Sequence, residues 1–190
     1  MGEPAFKEAP WIELIDGKVC MMSPRPRPKH NRVISTLTTI FENYLWDKPC
    51  QVFTDGVDVY LDEKNHFIPD LMIVCNKDII KPDAIYGAPD LVVEVLSLRT
   101  AKNDRTKKLE AYARAGVREY WIVSPLERSV EVYLQQDGRL VLDNVYHDVP
   151  DWEYEKMDPE DQAEIHREIK VSIYDDLVIH TRDVFHKIDV

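Results

Sequence analysis

The stretch Pro89-Asp90-Leu91-Val92-Val93-Glu94-Val95-Leu96-Ser97 decides the fold. From Leu91 to Leu96 it is an almost continuous apolar run, which is how a strand buried on both faces reads. Its one charge, Glu94, is conspicuous. A carboxylate in a strand centre is strongly disfavoured unless it is paired, hydrogen-bonded or on a metal. Downstream, Thr100 or Asn103 can cap a helix running to Ala115, and Gly116 ends it. Residues 120–124 then form a second buried strand. A strand–helix–strand unit implies a parallel crossover. The expected fold class is α/β, a mixed β-sheet flanked by helices.

Outward from this unit the pattern stays consistent. Val33, Leu37, Ile40, Phe41, Tyr44 and Leu45 recur at helical spacing, so 30–46 reads as an amphipathic helix, with Pro49 just past its end. Short β-type runs follow at 51–54, 57–61 and 68–75, punctuated by Gly56 and the polar cluster 62–65. Residues 77–88 read as a loop with one helical turn. Before the helix, Asp16-Gly17 sits between apolar runs, which predicts a hairpin pairing 13–15 with 19–21. The Pro-rich 23–28 can only be an extended connector. After the second buried strand come strands at 130–134 and 140–144, joined through Asp137-Gly138. An acidic stretch follows at 151–168, then a strand near 170–173 and a helix near 182–186. With 190 residues, one domain is expected: an N-terminal hairpin and connector (1–29), a core (30–144) and a C-terminal extension (145–190).

Composition narrows the function. No apolar run is long enough for a membrane span, and the N-terminus lacks the apolar centre of a signal peptide, so a cytoplasmic location is the default. Cys20, Cys50 and Cys75 are widely spaced and odd in number, with no CxxC pair. They read as small buried hydrophobes, not as a disulfide framework or a zinc site. The net charge of −11 argues against a protein that coats nucleic acid non-specifically. The charge is uneven, however. Arg25, Arg27, Lys29 and Arg32 form one basic window, and Arg99, Lys102, Arg105, Lys107 and Lys108 form another. Together they contain one acid, Asp104. Each window could equally be a solvated face.

Asp70 and Glu94 share a local context. Pro69-Asp70 opens one apolar run, and Glu94 lies in the run introduced by Pro89-Asp90. Alone, Asp70 could be a strand-edge turn residue and Glu94 a partner for a basic side chain. As a pair beside basic residues they suit a hard divalent cation, Mg2+ or Mn2+, which takes one or two carboxylates, waters and phosphate oxygens.

These residues resemble the PD-(D/E)xK nuclease motif with its third element altered. The longer match is to the Uma-type restriction-endonuclease family of that superfamily. It runs through residues 89–97, Asp104, Lys108-Leu109, Tyr112-Ala113-Arg114-Ala115-Gly116-Val117 and Glu119-Tyr120-Trp121-Ile122-Val123. Upstream, Met22-Ser23-Pro24 and His30 also fit, as does the closing segment 171–185. The resemblance covers nearly the whole chain and implies a restriction-endonuclease-like core. The departure lies at Leu96. It occupies the usual lysine position and shares a strand face with Glu94, yet an apolar group cannot do a lysine's work.

The resemblance implies that the lysine has moved to the following helix. Asp104, Lys108 and Tyr112 are successive turns apart and share one face. A lysine stem can run along apolar surface and place its ammonium at the sheet edge. Lys102 and Lys107 remain alternatives, and Lys108 could instead form a surface pair with Asp104. His30 and Glu42 are secondary candidates, as are Asp55 and Asp58. Trp11, Tyr120 and Trp121 read as core.

Taken together, the resemblance implies a metal-dependent endonuclease hydrolysing DNA. Asp70, Glu94 and the Val95 carbonyl would hold the metal, and Lys108 would stabilise charge on the phosphate. Arg25, Arg27, Lys29 and Arg105 would grip flanking phosphates, and a homodimer is expected by analogy. Leu96 and the low basic content leave open a catalytically silent nucleic-acid or protein-binding module. A component active only with a partner chain is a third reading.

Overall fold

A computed structural model of the chain describes residues 11–21, 27–54 and 56–188. The hairpin β1 (Ile12–Ile15) and β2 (Lys18–Met21) turns through Asp16 and Gly17, both at positive φ. That is the geometry Asp-Gly favours in a two-residue hairpin. Helix α1 (Pro28–Leu45) follows, with proline in its first turn. Then come β3 (Gln51–Thr54), β4 (Val59–Tyr60), β5 (His66–Phe67), β6 (Leu71–Val74), β7 (Ile85–Tyr86) and β8 (Leu91–Val95). Helix α2 (101–115) contains a wide, π-type turn over Asp104–Lys108 and ends at Gly116 in the left-handed conformation. The strands β9 (Glu119–Ser124), β10 (Ser129–Gln136) and β11 (Arg139–His147) complete the main sheet. The short helices α3 (Asp151–Tyr154) and α4 (Pro159–Glu164), the pair β12 (Glu168–Lys170) and β13 (Val178–His180), and helix α5 (Thr181–Val184) close the described chain.

The main sheet has six strands in the order β11-β10-β9-β8-β6-β3. Its β8–β9 pair is parallel, as the strand–helix–strand pattern requires, and its other pairs are antiparallel. The smaller sheet has five strands in the order β2-β1-β5-β4-β7. Three strands escaped sequence reading, β5, β7 and the three-residue β13. Strands β5 and β7 are two residues each, too short for any periodicity to show.

Side-chain alternation divides the interior in two. Leu71, Ile73, Leu91, Val93, Val95, Trp121 and Val123 face α1 and the C-terminal segment, where Phe41, Val184 and Phe185 complete one core. Met72, Val74, Val92, Tyr120 and Ile122 face the other way, against Tyr112 of α2 and Val59, Phe67 and Ile85 of the small sheet. Every residue of β8 and β9 is buried. This explains their largely apolar sequence and fixes Glu94 on the α2 side.

The cysteine expectation is overturned. Cys50 and Cys75 form a disulfide 25 residues apart, and none of the three cysteines is fully buried. The antiparallel register pairs Gln51 with Val74, so the residues just beyond, Cys50 and Cys75, fall opposite one another. Spacing along the chain could not reveal this without that register. Trp11 is likewise not core but 51% exposed. Thiol titration of the denatured, unreduced protein should therefore find one thiol per chain, Cys20. Reduction should lower unfolding stability by about 2–4 kcal/mol, the usual range for such a cross-link, measured by chemical denaturation.

Candidate active site

Glu94 is the fourth of the five residues of β8, on the same face as Val92, and Leu96 packs in the same core, as strand alternation predicts. Asp70 stands just before β6. Its Oδ2 accepts the backbone N–H of Val95 at 2.6 Å. The other Pro-Asp pair does the same job at the opposite end of the ladder, where Asp90 Oδ2 accepts the N–H of Cys75 at 2.8 Å. The surroundings then differ. Asp90 meets the exposed Arg118 at 3.4 Å, whereas the buried Asp70 meets His30 Nε2 at 3.3 Å, delivered by the first turn of α1. The Pro-Asp motif is thus a strand-end clamp in both places, and only one clamp is turned into the site.

Helix α2 supplies the rest. Across its wide turn Asp104, Lys108 and Tyr112 face inward, at 1%, 3% and 0% exposure. Such turns recur at functional sites. Lys108 Nζ lies 2.9 Å from Glu94 Oε1, 2.8 Å from Glu13 Oε1 and 3.9 Å from Asp104 Oδ1. The Tyr112 hydroxyl donates to Glu94 Oε1 at 2.9 Å, and the Tyr120 hydroxyl donates to the Asp104 carbonyl at 3.1 Å. Lysine therefore does not surface at the sheet edge, as its long stem suggested. The small sheet covers it, with the Phe67 ring 5.4 Å from its ammonium.

The electrostatics follow from burial. Desolvation pushes the Glu94 carboxyl well above its ordinary range, partly offset by Lys108 and reinforced by Asp104, Asp70 and Glu13. Asp104 is pushed up to about 6, again chiefly by burial. For Lys108 burial acts downward, yet the attraction of Glu94, Glu13 and Asp104 outweighs it and its pKa is raised. Burial also raises the Tyr112 and Tyr120 hydroxyls, so both stay protonated donors.

Among the described residues, then, Asp70, Glu94, Lys108, Asp104, Tyr112 and His30 come together. Glu42 does not; it is exposed on α1. Lys102 and Lys107 are exposed, and Arg27 and Lys29 are exposed at the start of α1. Arg105 already has a partner, since its Nε and Nη2 donate to Glu131 Oε1 at 2.9 and 2.6 Å. Asp58 pairs with His66 at 2.5 Å. Arg25 and Asp55 lie outside the described residues.

The residue that sequence reading missed is Glu13, 5% exposed and bound to Lys108. The available signal was inverted polarity in the hairpin. Strand alternation puts Glu13 and Ile15 on one face and Ile12 and Leu14 on the other, so burying Ile15 buries an acid.

The donor set fits a hard divalent cation. Glu13, Glu94 and Asp104 lie around the one buried lysine, Lys108, and Asp70 acts on Glu94, so buried acids outnumber buried lysines among the described residues. Asp104 Oδ1 is buried without a hydrogen-bond donor, and Glu94 takes both its bonds on Oε1. No three His, Cys, Asp or Glu side chains among the described residues could enclose an ion by themselves. Mg2+ binds through one or two carboxylates and completes its shell with water and substrate oxygens, so Asp70 and Glu94 are the residues that would hold it.

Comparison with known proteins gives a consistent answer. The family named Uma2, described as "Putative restriction endonuclease", matches residues 4–174. The chain belongs to the Uma2 family. The protein slr1290 of Synechocystis sp. (strain ATCC 27184 / PCC 6803 / Kazusa) is 30% identical over 128 residues, 66% of either chain. A crystal structure described as a "putative nuclease belonging to DUF820" from Anabaena variabilis ATCC 29413 aligns with a TM-score of 0.65 at 20% identity. That alignment covers 94% of this chain and 92% of the other, a likeness of fold. The type IIG restriction endonuclease BpuSI gives a TM-score of 0.39 at 16% identity, over 66% of this chain and 14% of that one. No helix among the described residues is long and apolar enough to cross a membrane.

The raised carboxyl of Asp104 has a consequence for stability. Its folded pKa of about 6 exceeds the ordinary value of 3.8, so the folded state holds its proton more tightly than the unfolded chain. The stabilisation this contributes is full below pH 3.8 and is lost as pH rises through about 6. Denaturant midpoints recorded across that window should fall with rising pH more steeply in the wild type than in Asp104→Asn. Equal slopes would show that Asp104 does not titrate there.

Proposed function

We propose that the chain is a metal-dependent endonuclease that hydrolyses DNA phosphodiester bonds. The observation that supports it best is the convergence of Asp70, Glu94 and Lys108 in one buried cluster whose acids outnumber its lysine. Asp70 and Glu94 would hold Mg2+ or Mn2+, with the Val95 carbonyl as a further ligand by family analogy. The cation would supply a hydroxide from bound water at neutral pH and polarise the phosphoryl oxygen.

The chain's own groups do the rest. The Lys108 ammonium, kept charged by its acidic neighbours, faces negative charge that grows on the phosphate during displacement. Tyr112 fixes the rotamer of Glu94, and His30 does so for Asp70. The exposed Arg27, Lys29 and Lys102 stand near the starts of the two helices that carry His30 and Lys108, positioned to meet flanking phosphates. A homodimer acting on both strands is part of this reading, by analogy with restriction endonucleases.

A second reading has its own observation. Glu94 Oε1 already accepts from both Lys108 and Tyr112, so the cluster is partly satisfied as an internal ion network. On that reading the protein is a silent binding module on a nuclease scaffold.

A cleavage assay on duplex and single-stranded DNA with Mg2+, Mn2+ or EDTA separates the two. Expected is metal-dependent cleavage that falls at least ~100-fold in each of Asp70→Ala, Glu94→Ala and Lys108→Met. No cleavage with either metal, and no Mn2+ bound in calorimetry, would favour the silent module. Activity retained in Lys108→Met but lost in Lys102→Ala or Lys107→Ala would overturn the lysine assignment.

A further inference from the structure

The two nearest partners of Lys108 do not stand alike. Glu94 comes from the central strand and is one of the carboxylates assigned to a cation. Glu13 comes from the N-terminal hairpin and has no part in that assignment. Yet Glu13 lies marginally closer, 2.8 Å against 2.9 Å. Its exposure is 5%, while Trp11 and Ile12 beside it are 51% and 43% exposed. An inward acid flanked by outward apolar residues runs against the usual partition, and burial of this kind is disfavoured unless the charge is used.

Glu13 is also tied down from behind. Its Oε1 accepts the backbone N–H of Ile68 at 3.1 Å, in the segment that leads into Asp70. One carboxylate therefore joins the hairpin, the Asp70 segment and the Lys108 ammonium. The remaining acid, Asp104, stands back at 3.9 Å.

We propose that Glu13 is a positioning residue that anchors the Lys108 ammonium independently of Glu94. The need for it is electrostatic. A divalent cation on Glu94 competes for that carboxylate and repels the neighbouring ammonium. A lysine held by Glu94 alone would be displaced when the site fills. Held also by Glu13, it stays beside the reacting phosphate. The functional part of this proposal rests on the nuclease reading above, whereas the anchoring does not.

The test reads the ammonium directly. In 1H–15N spectra of the full chain, a buried, paired lysine ammonium exchanges slowly enough to be seen, and loss of the signal in Lys108→Arg assigns it. Glu94→Gln imitates a Glu94 whose charge has been taken. Glu13→Gln keeps the side chain's size and its acceptor for Ile68. The signal should survive in Glu94→Gln and vanish in the Glu13→Gln/Glu94→Gln double variant. On adding Mg2+ it should persist in the wild type and vanish in Glu13→Gln. In cleavage, Glu13→Gln should lower kcat ~10–100-fold with KM unchanged.

Survival of the signal in the double variant overturns the proposal. So does its loss in Glu94→Gln alone, which decides the matter even if the Glu13 variants fold poorly. If the wild type cuts no DNA and binds no metal, the nuclease reading fails. The comparison of Glu94→Gln with the double variant still judges the anchor.

Discussion

An ammonium buried among carboxylates is the constraint around which this structure is arranged. Lys108 is 3% exposed and shares its charge with Glu13, Glu94 and Asp104. Two opposite charges about 4 Å apart attract by about 4 kcal/mol at an effective dielectric constant near 20. Removing each ion from water carries a penalty of the same order, so buried ion networks are weak evidence of stability. Here the balance is worse than for a simple pair, since the acids outnumber the lysine. A hydrophobic cluster of equal volume would serve the fold at least as well. The proposed nuclease chemistry would account for why the charges are there.

The two-sidedness of the main sheet decides where that chemistry can sit. Leu91, Val93 and Val95 belong to the core under α1, while Val92 and Glu94 face α2. A slip of one residue in β8 would turn Glu94 into the apolar core and expose a valine to the site. The mirrored bonds from Val95 to Asp70 and from Cys75 to Asp90 lock both ends of the β6–β8 pair against such a slip. Asp70 thus has two duties. It holds the register that places Glu94, and it presents its second oxygen beside His30. A variant that loses this carboxylate loses both, so Asp70→Asn, which can keep one acceptor, isolates charge from register better than Asp70→Ala.

What was legible in the sequence was local. The apolar run 91–95, the helical spacing of 101–115 and the order strand–helix–strand are carried by residues close in the chain, and they put Glu94 on a buried strand and Lys108 on the following helix. What was not legible joins distant segments. Glu13 is ninety-five positions from Lys108, and no local pattern reveals that a hairpin folds over the helix. The Cys50–Cys75 bond depends on the β3–β6 register. Arg105 looked free for phosphate because its partner Glu131 lies on a strand two elements later. Burial of Lys108 itself belongs with these. Periodicity gave its face, but only the small sheet closes that face off from water.

The altered motif can be understood in the same terms. A lysine at position 96 would rise from the same strand face as Glu94 and be held by that strand. Leu96 instead packs into the core shared by Tyr112 and Phe67, and the ammonium arrives from the opposite wall on α2. A charge delivered from a helix is not positioned by the strand that carries the acid, so its placement must be secured by something else. The wide turn at Asp104–Lys108 directs the stem inward, and the hairpin carboxylate of Glu13 meets its tip. On the proposed reading, carrying the lysine on the helix instead of the strand would transfer a constraint from covalent geometry to an ion pair. The N-terminal hairpin, which lies outside the main sheet, becomes part of the site for that reason.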